Sequence, residues 1–187
     1  MRQLDLEWFR QIHIGLHHDW LDPFFLLLSY TGLGQVQAIA ILCLWAKQET
    51  KRFVVPLLLS EAVSGLLISP FLKNLVDRPR PSNLPWAHPQ EAFLEHSFPS
   101  GHTITSFAIA TTACLMLWAT KYRKLSMLLF IWPVLVGVSR IYRGVHWPSD
   151  VVGSLFGGVI AGIVVYLALP DSDNAAAQQV LEHNEAN

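Results

Sequence analysis

The sequence predicts an all-α fold, a polytopic membrane helical bundle of about five transmembrane helices with an amphipathic helix at its N-terminus. Three observations predict it. Hydrophobic residues make up 52% of the 187 and charged residues only 14%, against about 25% charged in a soluble domain. The apolar residues fall in continuous runs near the length a bilayer demands, about 20 residues at about 1.5 Å rise each. Those runs do not alternate, as the strands of a transmembrane barrel would.

The first 21 residues stand apart. Leu4, Trp8, Ile12 and Leu16 repeat at helical spacing with Asp5, Arg10 and His17 between them, the pattern of a short helix lying in the membrane interface. Early acidic residues and the lack of an apolar stretch with a small-residue cleavage site exclude a secretory signal. The first expected span runs Pro23 to Ala46, the second Phe53 to Leu75, the third Thr103 to Ala119, the fourth from Leu125 to Val138 and a turn or two beyond, and the fifth Val151 to Leu169. Pro56 and Pro133 fall inside runs, which membrane helices tolerate when neighbours satisfy the freed carbonyl. Gly153, Gly157, Gly158 and Gly162 form two small-xxx-small pairs on the fifth run, read as a helix-packing face. Trp20, Trp45, Trp86, Trp118 and Trp147 fall near run ends, as interfacial tryptophans do. Cys43 and Cys114 lie in apolar runs with no metal spacing and read as buried thiols. Residues 1–170 form a single expected domain, and 171–187 an acidic, flexible tail.

Thirteen Lys and Arg against fourteen Asp and Glu give a formal charge of −1. No global basic excess points to nucleic acid. Five spans place Lys47, Lys51, Arg52, Lys121, Arg123 and Lys124 on one face. They place Lys73, Arg78, Arg80, Arg140 and Arg143 on the other, with Arg2 and Arg10 if the N-terminal helix lies there. The six cations in short connecting loops mark a cytoplasmic face once the opposite cations have a functional account. Residues 76–102 form the longest connection; Pro79, Pro81, Pro85, Pro89 and Pro99 preclude a continuous helix there.

Three polar clusters resist a membrane explanation. They are Lys73 followed after six residues by Arg80-Pro81; Pro99-Ser100-Gly101-His102; and Ser139-Arg140, then His146 after five residues and Asp150 after three more. The span map brings all three to one face. Their chemistry suggests phosphoryl transfer. Three cations suit a phosphate, since a guanidinium binds two of its oxygens at once. Ser100 offers a hydroxyl, and Gly101 opens the backbone at a helix start, where free amides attract anions. Two histidines can divide the work, one attacking phosphorus and the other protonating the departing oxygen. Asp150 lies about 6 Å along a helix from His146, on the same face, placed to fix its tautomer. Blander readings exist for each part: an ordinary cap for Pro-Ser-Gly, snorkelling for Arg78 and Arg143, and structural roles for His13, His17, His18, His88, His96 and His183. Glu61, deep in the second span, reads as a carboxyl bonded to Gln35 or Gln37, ahead of a proton-relay or substrate-tail role.

At these residues the sequence resembles the type 2 phosphatidic acid phosphatase superfamily, which includes lipid phosphate phosphatases, glucose-6-phosphatase and vanadium haloperoxidases. The signature reads here KNLVDRPRP, PSGH and SRIYRGVHWPSD, without departure, over residues 73–150. The resemblance implies roles. His146 is the expected nucleophile, forming a phosphohistidine, and Asp150 orients and activates it. His102 is the general acid and then the base for water. Lys73, Arg80, Ser100, Gly101 and Arg140 cradle the phosphate. No metal or cofactor is expected. The implied substrate is a lipid phosphate or diphosphate in the bilayer, with undecaprenyl diphosphate favoured in a bacterial-type plasma membrane and the site facing out of the cytoplasm. Phosphatidic acid, phosphatidylglycerophosphate and lipid A phosphates stay open, and oligomeric state is not encoded. The rival reading is a silent headgroup binder or an anionic-lipid transporter, which would need the cations but not the histidines.

Overall fold

In the computed structural model, residues 2–91 and 95–170 are described, and all their regular structure is helical. The tail expected over 171–187 lies outside the described residues. The helices are α1 (Arg2–Arg10), α2 (Asp22–Thr31), α3 (Gly34–Ala46), α4 (Lys51–Leu75), α5 (Gly101–Leu117), α6 (Arg123–Tyr142) and α7 (Pro148–Ala168). By length and composition α4, α6 and α7 can each cross a membrane.

The first expected span is not one straight helix. It breaks between α2 and α3, which meet at 66°. The cause is local: Leu33 is extended between Gly32 and Gly34. Gly32 is also a close-approach position, where a Cβ would sit 2.7 Å from Val136 Cγ1 and 3.0 Å from the Cβ of His102. The bend therefore makes room for His102.

Helix α5 has 17 residues, about 26 Å at helical rise. It is the centre of the bundle, with nearly every residue from Thr103 to Thr112 buried. Protein rather than lipid surrounds it, so its length need not match the bilayer. Its tightest neighbour is α7. A Cβ on Gly158 would sit 2.5 Å from the Ile104 carbonyl oxygen, and one on Gly162 would sit 2.7 Å from that of Ala108. Backbones this close gain dispersion and polar contacts in place of a hydrophobic drive. Thr112 Oγ1 donates to the Gly162 carbonyl at 3.1 Å, Ser60 and Thr112 share a 2.6 Å hydrogen bond, and Gln37 donates to Ser106 at 2.8 Å. Pro56 and Pro133 each follow a 3₁₀ segment, Lys51–Phe53 and Met127–Phe130, and Pro70 follows the π segment Val63–Ile68. Each sits near the start of an α-helical stretch, where a missing N–H costs little.

Two expectations need correction. Cys114 is buried, but Cys43 is exposed on the outer side of α3; apolar surroundings there mean an outward-facing surface, not the interior. Helix α1, continued by a π turn over Gln11–Gly15, does turn Leu4 and Trp8 outward, 59% and 58% exposed. Its inner face, however, is Asp5, Phe9 and His13, all buried. Phe9 packs on Trp86 and Trp147 with ring centroids 5.9 and 5.4 Å away. His13 Nδ1 donates to the Tyr142 carbonyl at 2.7 Å, and its Nε2 accepts the His88 N–H at 3.1 Å. Burial pushes the His13 pKa down, and one neutral tautomer satisfies both contacts. The helix is thus clamped onto the long proline-containing loop.

Candidate active site

The site is assembled from helix ends. Helix α6 closes with a Schellman turn, in which Gly144 N–H bonds to the Ile141 carbonyl at 3.0 Å and Val145 N–H to the Arg140 carbonyl at 3.2 Å. Gly144 has φ +78°, and a Cβ there would meet His13 Cε1 at 2.7 Å. This turn reverses the chain and delivers His146 beside Arg140. Helix α7 then starts at Pro148, and Asp150 in its first turn accepts the Trp147 N–H at 2.9 Å. Asp150 therefore caps its own helix while facing His146.

His146 is 2% exposed. Its Nε2 lies 3.2 Å from Arg80 Nη1 and its Nδ1 3.6 Å from Asp150 Oδ2. Arginine only donates, so Nε2 is the accepting nitrogen and the proton resides on Nδ1, facing the carboxylate. At 3.6 Å that contact is electrostatic rather than a closed hydrogen bond, and Nδ1 has no hydrogen-bond partner among the described residues. Burial lowers the His146 pKa to about 4; Arg80 and Arg140 push the same way and Asp150 opposes them. The imidazole is neutral at physiological pH, as a nucleophile must be.

Asp150 is fully buried. Oδ1 accepts Arg78 Nη1 at 2.5 Å, and Oδ2 accepts the Ser97 hydroxyl as well as the Trp147 N–H. Arg80 donates to the carbonyls of Glu95 at 2.7 Å and Val145 at 2.9 Å. Burial and the nearby Arg140 lower its pKa. Lys73 lies within electrostatic range of Arg80, Arg140 and His102. His102 interacts with His146 and Arg140. It borders two cavities: one of about 450 Å³ shared with Ser29, Glu91, Arg140 and Arg143, and one of about 540 Å³ that runs past Gly101, Thr105, Gly65 and Glu61.

The cap reading of Ser100 fails. Its side chain caps nothing; Thr103 Oγ1 donates to Ser100 Oγ at 2.9 Å, and its own N–H goes to Ser154 Oγ at 2.9 Å. A Cβ on Gly101 would meet nothing nearer than Ser69 Oγ at 3.7 Å, so the amide end of α5 is open at the cavity wall. Glu61 does not bond to either glutamine named for it. Gln37 is committed to Ser106, and Glu61 Oε2 is buried without a partner among the described residues.

The largest departures from the sequence reading are arginines and their acids. Arg78 and Arg143 do not snorkel. Arg78 bridges Asp150 and Asp5, at 2.5 and 2.6 Å, and Arg143 Nε binds Glu91 at 2.7 Å. Glu91 also grips Arg140 through both of its terminal nitrogens, at 2.7 and 2.8 Å, while Ser29 accepts from Nη1. Burial would raise the Glu91 pKa, but hydrogen bonds and charge from Arg140 and Arg143 outweigh it and set it at about 2. Sequence reasoning passed over Glu91, Asp5, Ser97 and Ser29. Glu91 stands in a loop crowded with other polar residues, and nothing local marks any of the four as a partner of the site. Arg140 is 1% exposed, and its Nε has no partner among the described residues. Five cations (Lys73, Arg78, Arg80, Arg140, Arg143) thus face Asp5, Glu91 and Asp150, with Asp22 near Arg143, so positive charge is in excess, as suits a phosphate anion.

A group with metal-ligand spacing occurs elsewhere: His17, Asp19 and Asp22 hold ligand atoms within 4.8 Å of one another. Asp22 is already engaged by the Tyr142 hydroxyl at 2.7 Å and the Gln90 amide at 2.9 Å.

A buried histidine lies between an arginine and an aspartate, at the helix ends of a membrane bundle and among excess positive charge, an arrangement able to hold a phosphate. Residues 53–173 match the PAP2 superfamily, and the chain belongs to it. It is 29% identical to undecaprenyl-diphosphatase BcrC of Bacillus subtilis, over 87% of this chain and 83% of that protein. It is 34% identical to the putative undecaprenyl-diphosphatase YbjG of Escherichia coli, over 75% and 70%. The crystal structure of Aquifex aeolicus LpxE superposes with a TM-score of 0.74 at 34% identity, covering 87% of this chain and 94% of that one.

Proposed function

We propose that this chain is a membrane phosphatase that removes phosphate from the monoester or diphosphate headgroup of a lipid, with undecaprenyl diphosphate as the favoured substrate. The observation that carries the reading is the neutral His146, accepting from Arg80 at Nε2 and faced by Asp150 at Nδ1, inside a cluster with excess positive charge. A headgroup binder or transporter would need the cations but not this ordered pair. The undecaprenyl-diphosphatase names of two relatives support the substrate.

In this reading the phosphate displaces the Arg80 contact from His146 Nε2 and accepts hydrogen bonds from Arg80, Lys73, the Ser100 hydroxyl, the backbone amide at Gly101 and the unpartnered Nε of Arg140. Nε2 forms a bond to phosphorus as the bond to the leaving oxygen breaks, and His102 gives that oxygen a proton. For a diphosphate the leaving group is the lipid monophosphate. His102 then takes a proton from water, whose oxygen attacks phosphorus and breaks the P–N bond, returning inorganic phosphate and a neutral His146. Excess positive charge meets the charge of the five-coordinate state. No metal enters these steps.

The bundle crosses a bacterial-type inner membrane five times, with α2 and α3 as one bent span and α5 as the short central one. Helix α1 lies in the outer interface, and the site faces out of the cytoplasm. The test is phosphate release by the purified protein, with chelator present, from undecaprenyl diphosphate, phosphatidic acid, phosphatidylglycerophosphate and a lipid A phosphate. Release from at least one of them, fastest from undecaprenyl diphosphate, is expected. Binding without release from any would support the silent binder and overturn the reading.

A further inference from the structure

Asp5 sits on the N-terminal helix, 145 positions from Asp150, yet it is 6% exposed. Its Oδ2 accepts Arg78 Nη2 and the Ser149 hydroxyl, both at 2.6 Å, and its Oδ1 accepts the Ser149 N–H at 2.9 Å. The same guanidinium donates through Nη1 to Asp150 Oδ1 at 2.5 Å and to Ser149 Oγ at 2.7 Å. The Trp147 ring lies 5.5 Å from its carbon. Arg78 is thus held between two carboxylates, one on α1 and one on α7.

Charge gives this bridge a consequence. A lone Arg78 against Asp150 would cancel the negative charge that His146 faces. With Asp5 as the second acid, the three groups together carry one net negative charge. They face an imidazole whose other charged or titratable neighbours are Arg80, Arg140 and His102. Phe9 and His13 fix the helix that carries Asp5, so the bridge is held from the far side of the loop.

We infer that Asp5 is a positioning residue for hydrolysis: through Arg78 it orients the Asp150 carboxylate and preserves its charge toward His146, making the N-terminal helix part of the catalytic apparatus. The inference rests on the reading of His146 as nucleophile and Asp150 as its partner. Asp5 borders neither cavity that His102 lines, but it lines a third, of about 710 Å³, with Arg78 and Arg80, so the split between kcat and KM decides between the chemical step and binding.

The test uses the purified full chain and phosphate release from undecaprenyl diphosphate. Asp5→Asn keeps the shape and removes the charge. It is expected to lower kcat about tenfold with KM within about twofold, and Asp5→Glu to restore most of the loss. In an Arg78→Met background the further effect of Asp5→Asn is expected to shrink below about twofold, because the connection is already cut. An unchanged kcat in Asp5→Asn would overturn the inference. So would an equal loss with and without Arg78, or a loss that appears in KM and that Asp5→Glu does not restore, since either marks simple docking of α1. Asp150→Asn is measured alongside. If it keeps full kcat, the reading of the His146–Asp150 pair fails; if it is impaired while Asp5→Asn is not, only the role of Asp5 fails.

Discussion

Arg80 donates to Nε2 of His146 across 3.2 Å, which fixes the tautomer and covers the lone pair that would attack phosphorus. The proposed nucleophile is held neutral and guarded by the cation that would also bind the substrate. Because burial and the two arginines lower the His146 pKa to about 4, protonation of this group should not limit activity near neutrality. No acid limb belonging to His146 is expected in kcat/KM between about pH 7 and about pH 5; loss through this group begins only as pH approaches 4. The same shift has a stability sign. Between the ordinary value near 6.5 and about 4, the unfolded chain binds a proton at His146 that the folded chain does not, so falling pH destabilises the fold through that window. An acid limb centred near 6.5 that tracks His146 would contradict this.

Glu91 is expected to act on binding. It grips Arg140 end-on and leaves Nε as the one guanidinium nitrogen without a partner among the described residues. Glu91→Gln keeps the shape, but leaves two buried guanidinium groups against a neutral amide. A charge-assisted pair is worth about 1.5–3 kcal/mol, so KM should rise about tenfold with a smaller change in kcat. Steady-state kinetics decide it. A lower KM would mean that Glu91 competes with phosphate for Arg140 instead of presenting it.

The main lines of this site were legible because its chemistry is written in contiguous motifs. Lys73, Arg80, Ser100, His102, Arg140, His146 and Asp150 are polar residues at or just beyond the ends of apolar runs, and Gly101 stands among them. Their partners were not legible. Asp5 on an amphipathic helix and Arg78 at a helix end both have ordinary surface explanations, and only tertiary folding brings them to Asp150. The same holds for the fold. Continuous apolar runs predicted the helices, but not the 66° bend after Thr31, because Gly32 and Gly34 are tolerated in straight membrane helices and the need for space around His102 is a tertiary fact. Cys43 was misread since an apolar run does not say which of its faces turns outward.

Hydrolysis should proceed in EDTA and be inhibited by vanadate. Asp5, Glu91 and Asp150 are each committed to guanidinium groups, which leaves no carboxylate pair among them to bind magnesium. Vanadate takes up the five-coordinate geometry of phosphoryl transfer, and the cation cluster should hold it. Phosphate release measured with chelator, then with added vanadate, checks both. A strict magnesium requirement would point to another mechanism.

The catalytic face should be extracytoplasmic. In a background lacking Cys43, which is exposed, cysteine introduced at Asn83 or Ala87 should react with a membrane-impermeant thiol reagent in intact cells. Cysteine at Thr50 or Lys121 should react only after the cells are opened. The opposite pattern would invert the orientation and make cytoplasmic-leaflet lipids the substrates, while leaving the chemistry in place.

Covalent catalysis by His146 is tested by trapping the intermediate. His102→Ala should slow its hydrolysis by removing the base for water. Mixing that variant with undecaprenyl diphosphate labelled in the terminal phosphate, quenching in alkali and sequencing the labelled peptide should find an acid-labile phosphoryl group on His146. The label should be lost when His146→Ala is added, in a protein that still inserts and folds. Label on another residue, or full turnover by a folded His146→Ala protein, would contradict the account.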